Sequence, residues 1–184
     1  MSVTTPCTIY TCAVSSFVSN PIATLDILED LLLYNEITIL IDIRPATTLA
    51  NETAFSEHQI RDLCNSLHID YHWAARHFAN QFAATEEGPD LALAPPLRGF
   101  ADHMRSESFA SAYKQLINLC KDSRCLLMSD IPTLQYCSRR LIADYLLIQG
   151  HNVIHLLDRQ QHQEHMLSAE LRRESATLIY DRVV

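Results

Sequence analysis

The chain has 184 residues, 48% of them hydrophobic and 20% charged, a composition that fits one globular domain with enough apolar side chain to bury a core. Its 14 Lys and Arg against 22 Asp and Glu leave a net charge of -8, which excludes a nucleic-acid backbone as the expected partner. Only Gly88, Gly99 and Gly150 are glycine, and neither a phosphate-cradling loop nor a GxGxxG turn can be built from positions so far apart.

Thr8 to Val14 is short, β-branched and aromatic, and reads as a strand. Asn20-Pro21 supplies a cap and a first-turn proline for a helix whose apolar face is Leu25, Leu28, Leu31 and Leu32. Ile37 to Ile43 is apolar at nearly every position, the pattern of a central parallel strand. Ser56-Glu57-His58-Gln59 is a capping box, followed at helical spacing by Ile60, Leu63, Cys64 and Leu67. A short strand is expected over Ile69 to His72, a helix over Trp73 to Ala84, a mobile loop over Glu86 to Pro96 and a short helix over Leu97 to Met104. Ser108 is expected to cap a longer helix with Phe109, Tyr113, Leu116, Ile117 and Cys120 on one face. Cys125 to Met128 is a buried strand, Thr133 to Gln149 a helix closed by Gly150, and Val153 to Leu157 the last core strand. Gln160 to Glu174 is expected to be a polar helix and Thr177 to Val184 a strand or tail.

Apolar strands alternating with helices predict a single three-layer α/β domain over 1–184, with a largely parallel central sheet flanked by helices. Its core spans about 8–157, and residues 158–184 form a polar C-terminal helix and tail. No apolar run approaches the roughly 20 residues of a membrane span, and Met1 to Pro6 has neither the basic start nor the apolar stretch of a leader. The chain is therefore read as cytoplasmic, without a membrane partner, and its cysteines (Cys7, Cys12, Cys64, Cys120, Cys125, Cys137) as thiols.

Open parallel sheets bind ligands beyond the carboxyl ends of their strands. Those ends carry Ser15 and Ser16, then Asp42 and Arg44, then Ser129 and Asp130 with Arg139 and Arg140 on the next helix, and Asp158. Two or three guanidinium groups facing a helix N-terminus would hold phosphate or carboxylate. The alternative is a structural Asp42–Arg44 ion pair, with Arg139 and Arg140 on a solvated face. Structural zinc is set aside: Cys7 and Cys12 bracket a strand and lie about 16 Å apart, beyond one tetrahedral ion. His151 and His155 are likewise separated by extended chain, whereas His162 and His165 share a helical spacing that suits either a metal or a solvated face. Cys12 and Cys137 are the candidate nucleophiles, and Ser129 lacks a GxSxG elbow.

The segments ILIDIR (Ile39 to Arg44), PLRGFADHM (Pro96 to Met104) and CSRRLIADYLLIQGHNVIHL (Cys137 to Leu156) resemble the domain-of-unknown-function 488 family, from about Ile9 to His165. In that family a strand ends in Gly-His-Ser and another in Asp-Val-Arg. A Leu-Arg-Gly-Phe segment follows, then a strand ending in Cys-Ala-Glu and a Cys-His-Arg helix leading to a His-Ile strand. The resemblance places Asp42 and Arg44 at the Asp-Val-Arg end, Arg98 in the Leu-Arg-Gly-Phe segment, Cys137 and Arg139 in the Cys-His-Arg turn, and His155 on the last strand. This chain departs from the pattern in five places. Ala13-Val14-Ser15 stands for Gly-His-Ser, Ser129 for the strand-end cysteine, Ile131 for the glutamate (Asp130 with a one-residue shift) and Ser138 for the histidine. The Leu-Gly-Gly segment is also missing, its region taken by Trp73 to Phe82. The strand order, with its Asp-x-Arg strand end at Asp42 and Arg44, also resembles a rhodanese-like or Rossmann-like arrangement, and a rhodanese-type sulfurtransferase would need a cysteine where Ser129 stands.

The resemblance thus implies retained cations beside missing acid, base and nucleophile. The expected function is binding of a small anionic ligand, a nucleotide or phosphate ester. Arg44, Arg98 and Arg139 would supply charge at the carboxyl edge of the sheet, with Asp42, Ser15 and Ser129 as polar partners. Neither cofactor nor metal is expected. Two alternatives stand beside it. One is an enzyme with Cys12 or Cys137 as nucleophile. The other is an interaction module, with a homodimer left open, that presents Trp73, Phe78 and Phe82.

Overall fold

The computed structural model describes residues 5–17, 25–46, 55–85, 88–175 and 177–182. Strands β1 (Thr8–Ala13), β2 (Ile39–Asp42), β3 (Asp70–Trp73), β4 (Cys125–Ser129), β5 (Asn152–Leu156) and β6 (His162–Glu164) form one sheet in the order β3-β2-β4-β1-β5-β6. Every pairing is parallel except β5 with β6. Strand pleating sorts the side chains into two cores. Ile9, Ile39, Ile41, Cys125, Leu127 and Val153 enter one, which helices α4 (Pro95–His103), α5 (Glu107–Cys120) and α6 (Ser138–Ile148) cover. Cys12, Leu40, Leu126 and Met128 enter the other, under α1 (Leu25–Tyr34) and α2 (Glu57–Ser66). The result is the three-layer α/β arrangement expected from the alternating apolar pattern.

Local signals hold where the neighbouring residues decide. Leu28, Leu31 and Leu32 are the buried face of α1, each worth about 1.5–3 kcal/mol when fully removed from water. The expected cap at Asn20-Pro21 lies outside the described residues. The capping box of α2 forms as expected, with Ser56 and Gln59 satisfying each other's backbone amides, and Ile60, Leu63 and Cys64 face inward.

Four expectations are corrected by longer-range contacts. The helix expected over Trp73 to Ala84 shrinks to α3 (Ala75–Phe78), because the chain then crosses under α4. The cap of α5 is Ser106, whose hydroxyl accepts from the Phe109 amide at 3.1 Å, not Ser108, whose hydroxyl contacts His77 Nδ1. The helix expected over Thr133 to Gln149 is broken at Cys137, whose extended backbone (φ -109, ψ 137) separates a 3-10 turn at Leu134–Tyr136 from α6. The polar helix expected over Gln160 to Glu174 is instead β6 and β7 (Leu171–Glu174), the latter paired with β8 (Thr177–Tyr180). Free strand edges at β5, and burial of Leu171, Leu178 and Tyr180 in the core, outweigh the weak helical preference of that polar stretch. Residues 158–184 are therefore not a polar helix and tail laid on a finished core.

The Pro95–His103 segment shows why one glycine is needed. A Cβ at Gly99 would sit 1.9 Å from the Phe82 carbonyl oxygen, so α4 and the 82–83 backbone could not cross as closely. Arg98 beside it ties down the preceding loop, donating from Nε to the Leu93 carbonyl at 3.0 Å and from Nη2 to that of Leu91 at 3.1 Å. Asp90 is buried and accepts from the Tyr180 amide at 2.9 Å and from Arg105 at 2.5 Å. The 88–94 part of the expected mobile loop is thus pinned from three directions, while Glu86 and Glu87 lie outside the described residues. Gly99→Ala should destabilise by about 3 kcal/mol, the upper end for overpacking against an unyielding backbone, measured by denaturant unfolding. A cost under half of that would show that the crossing relaxes freely.

Candidate functional site

The carboxyl ends of β1 and β4 lie side by side, with Ala13 opposite Ser129. Beyond β1 a 3-10 turn (Val14–Phe17) carries Ser15, whose hydroxyl donates to the Asp130 carbonyl. The side chain of Ser16 lies outside the description. Beyond β4 the chain loops through the Leu134–Tyr136 turn and enters α6 at Cys137. Asn80 supplies the cap that Cys137 does not, its Oδ1 accepting from the Ser138 amide at 2.7 Å, while the Ser138 hydroxyl donates to the Phe78 carbonyl at 2.6 Å.

The start of α6 brings three expected site residues together. The Cys137 thiol donates to Ser129 Oγ at 3.4 Å. Arg139 donates from Nε to Cys137 Sγ at 3.3 Å, from Nη2 to the Ile131 carbonyl at 2.8 Å and from Nη1 to Thr11 Oγ1 at 3.4 Å. Ser129 is 3% exposed and Arg139 4%. None of the ion pairs formed among the described residues involves Arg139.

Arg44 lies on the other face of the sheet. Asp42 follows Leu40 in the pleat and so points into the α1–α2 layer, whereas Thr11 and Ser129 point toward α6. Asp42 chelates Arg44, accepting from Nε at 3.0 Å and from Nη2 at 2.7 Å, and Nη1 donates to the Phe55 carbonyl at 2.7 Å. Both side chains are buried, and Tyr71 donates its hydroxyl to the same carboxylate at 2.9 Å. Burial works against the Arg44 charge, but the hydrogen bonds and negative charge of Asp42 prevail and hold the guanidinium protonated more firmly than in water. The structural ion pair weighed as the alternative for Asp42 and Arg44 is thus present. Arg98, with its bonds to Leu91 and Leu93, belongs to the α4 loop.

From Arg139 a chain of buried polar groups runs across the sheet. Thr11 Oγ1 meets His155 Nδ1 at 2.7 Å, His155 Nε2 meets His165 Nδ1 at 2.9 Å, and His165 Nε2 meets Asp144 Oδ1 at 3.1 Å. Asp144, on α6 and 0% exposed, also accepts from the Ser168 amide and hydroxyl at 2.8 and 2.6 Å and from the Tyr180 hydroxyl at 3.1 Å. Burial, His165 and Arg139 together push His155 down to about 3, so its ring is neutral at ordinary pH. Burial likewise drives the Tyr180 phenol well above its usual range. The sequence reading singled out only His155 and His165 from this network, and neither in this role. The available signal was Asp144, a carboxylate on the apolar stripe of a helix, which requires a buried partner.

The remaining candidates separate. Cys12 is fully buried, and burial pushes its thiol up to about 12 despite the nearby Arg139, which favours the protonated thiol at neutral pH. Cys7 and His151 meet at the opposite end of the sheet, Sγ to Nδ1 at 3.2 Å, with Tyr113 on Nε2 at 3.0 Å. His162 is exposed on β6 and His165 buried just beyond it, because residues three apart in extended chain face opposite ways. Among the described residues no group of His, Cys, Asp or Glu is arranged to hold a metal ion. Phe78 is buried and Phe82 stacks on His103 at 3.8 Å, so of the three aromatics expected on an interaction surface only Trp73, 44% exposed, faces solvent. No helix among the described residues is long and apolar enough to cross a membrane.

A mostly parallel sheet between two helical layers, with a polar cluster where its central strands end, defines an α/β protein of the three-layer class. A family model described as "Domain of unknown function DUF488" matches residues 24–146, more than half of the chain, and the chain belongs to that family. The match takes in Asp42, Arg44, Arg98, Cys137 and Arg139 and stops before β5. No curated protein and no solved structure is significantly similar to the chain.

Proposed function

We propose that the carboxyl edge of β1 and β4 binds a small anion, the phosphate of a phosphate ester or nucleotide, with Arg139 as its cation. The observation that carries this reading is a buried guanidinium with no carboxylate within ion-pairing distance among the described residues. A buried cation without a counter-charge is costly, and an incoming anion supplies one. Of the five guanidinium hydrogens, three are used, so one on each Nη remains for a ligand oxygen. Ser129 and Ser15 stand at the same edge as hydroxyl partners. The mostly exposed segment between Ile131 and Cys137 borders the site, its Ile131 carbonyl accepting from Arg139. Arg44 and Arg98 support the architecture around the site, from the opposite face of the sheet and from the α4 loop.

Inorganic phosphate or pyrophosphate should raise the melting temperature. At a hundredfold excess over Kd, binding stabilises by about 2.7 kcal/mol, a rise of roughly 5–10 °C for a chain of this size. Arg139→Gln should abolish the rise and Arg139→Lys should keep part of it. A rise of the same size in Arg139→Gln removes the reading. A second reading, Cys137 as a nucleophile, draws on the 3.3 Å contact between its sulfur and Arg139 Nε. Iodoacetamide modification of the folded protein at Cys137 below pH 8 would favour it, and an inert Cys137 would exclude it.

A further inference from the structure

A second concavity lies away from Arg139, where the edge strand β3 meets α3 and α5. It holds about 290 Å³, with a floor of Ile41, Phe78, Ala112, Leu116 and Leu119. Its rim is formed by His72, Trp73, Arg76 and His77, with Gln115 on the α5 side. Among the described residues no acidic side chain lines it, although the protein carries a net charge of -8. Arg76 is exposed and makes neither a hydrogen bond nor an ion pair among the described residues. His77 uses Nδ1 toward Ser108 and leaves Nε2 open. The Trp73 indole is held in place by a 3.0 Å bond from Nε1 to the Arg44 carbonyl, yet keeps 44% of its surface exposed.

An apolar floor under a basic rim selects one kind of molecule. Apolar walls with a few convergent polar groups are the general form of a small-molecule site. A permanent cation at the rim, with no carboxylate to neutralise it, adds selection for an anion. The volume equals that of about ten waters at ~30 Å³ each, room for a body of about ten non-hydrogen atoms. We infer that the β3–α5 cleft binds a small amphipathic carboxylate: an aromatic ring or short acyl chain lies on Phe78, Leu116 and Leu119, and the carboxylate pairs with Arg76 at the mouth. The site shares no cation with the Arg139 edge, and either can fail without the other.

Trp73 is the only tryptophan in the chain, so its fluorescence reports this cleft alone. Titration with phenylacetate and with octanoate should give a saturable change, and calorimetry should return the same affinity. The neutral isostere 2-phenylethanol should bind at least tenfold more weakly. Arg76→Glu, an exposed change, should weaken phenylacetate at least tenfold. Leu119→Glu, which sets a carboxylate in the half-buried wall, should abolish binding while the circular dichroism and melting temperature stay near the wild-type values. Arg139→Gln should leave phenylacetate affinity unchanged. No saturable change with the wild-type protein overturns the inference. So does equal affinity for acid and alcohol, or wild-type affinity in Arg76→Glu or in a folded Leu119→Glu protein.

Discussion

Asp42→Ala should cost about 3–5 kcal/mol of stability, the usual penalty for leaving one member of a buried ion pair alone. Asp42 takes two guanidinium nitrogens of Arg44, the Arg44 backbone amide at 3.0 Å and the Tyr71 hydroxyl. Removing it strands a buried cation and a half-buried phenol together, with no other acidic group among the described residues bonded to Arg44. At about 2–4 °C per kcal/mol for a chain of this size, the melting temperature should fall by roughly 6–20 °C. Replacing both partners, Asp42→Leu with Arg44→Met, should recover most of the loss, because the desolvation penalty disappears with the pair. Denaturant unfolding of the two variants decides the matter. A single variant within 1 kcal/mol of wild type would mean that water reaches Arg44.

The second large effect is on pH. His155 in the fold is pushed from 6.5 to about 3, first by burial and then by His165 and Arg139. In the unfolded chain it takes up a proton near its ordinary value. Below about pH 6.5 the unfolded state therefore binds more protons than the folded one, and stability falls as the pH falls, at up to about 1.4 kcal/mol per pH unit, until about pH 3. Burial lowers His103 and His151 as well, so they act in the same direction near the top of that window. Between pH 6 and pH 5 the carboxylates contribute little, and the slope there belongs to the histidines. His155→Gln should remove one proton's worth of that slope. An unchanged slope in a folded His155→Gln protein would mean that His155 is charged in the native state. The element released first should be the C-terminal hairpin, since His165, Ser168 and Tyr180 all reach Asp144 from the last part of the chain.

The elements that were legible in the sequence are those whose stabilising partners lie within a few residues. The capping box at Ser56–Gln59, the Leu stripe of α1 and the apolar run of β2 each carry their own signal. The region after Leu156 was not legible. His162 to Glu164 becomes a strand only because β5 offers a free edge, and Leu171 and Tyr180 are buried only because the α4 face is open to them. The break at Cys137 was hidden for a similar reason: its cap comes from Asn80, more than fifty residues earlier.

The candidate site shows the same division. That Arg44 and Arg139 follow strand ends was readable from order and periodicity, and so was the approximate edge of the sheet they occupy. Which face each one takes was not. A strand turns successive side chains to opposite faces, so Asp42 draws Arg44 toward α1 and α2 while Thr11 receives Arg139 beneath α6. The α/β class, the order of strands and helices through β5 and the capping box at Ser56 were readable from the chain alone, because these follow from hydrophobic period and neighbouring side chains. Contacts between distant segments set the β6 edge, the Asp144–His165–His155–Thr11 chain, the absence of an ion-pairing carboxylate on Arg139 among the described residues and the cleft beside Trp73. Each of these needs groups far apart in the chain to meet across a face, and the local pattern of residues does not encode which distant group will stand opposite.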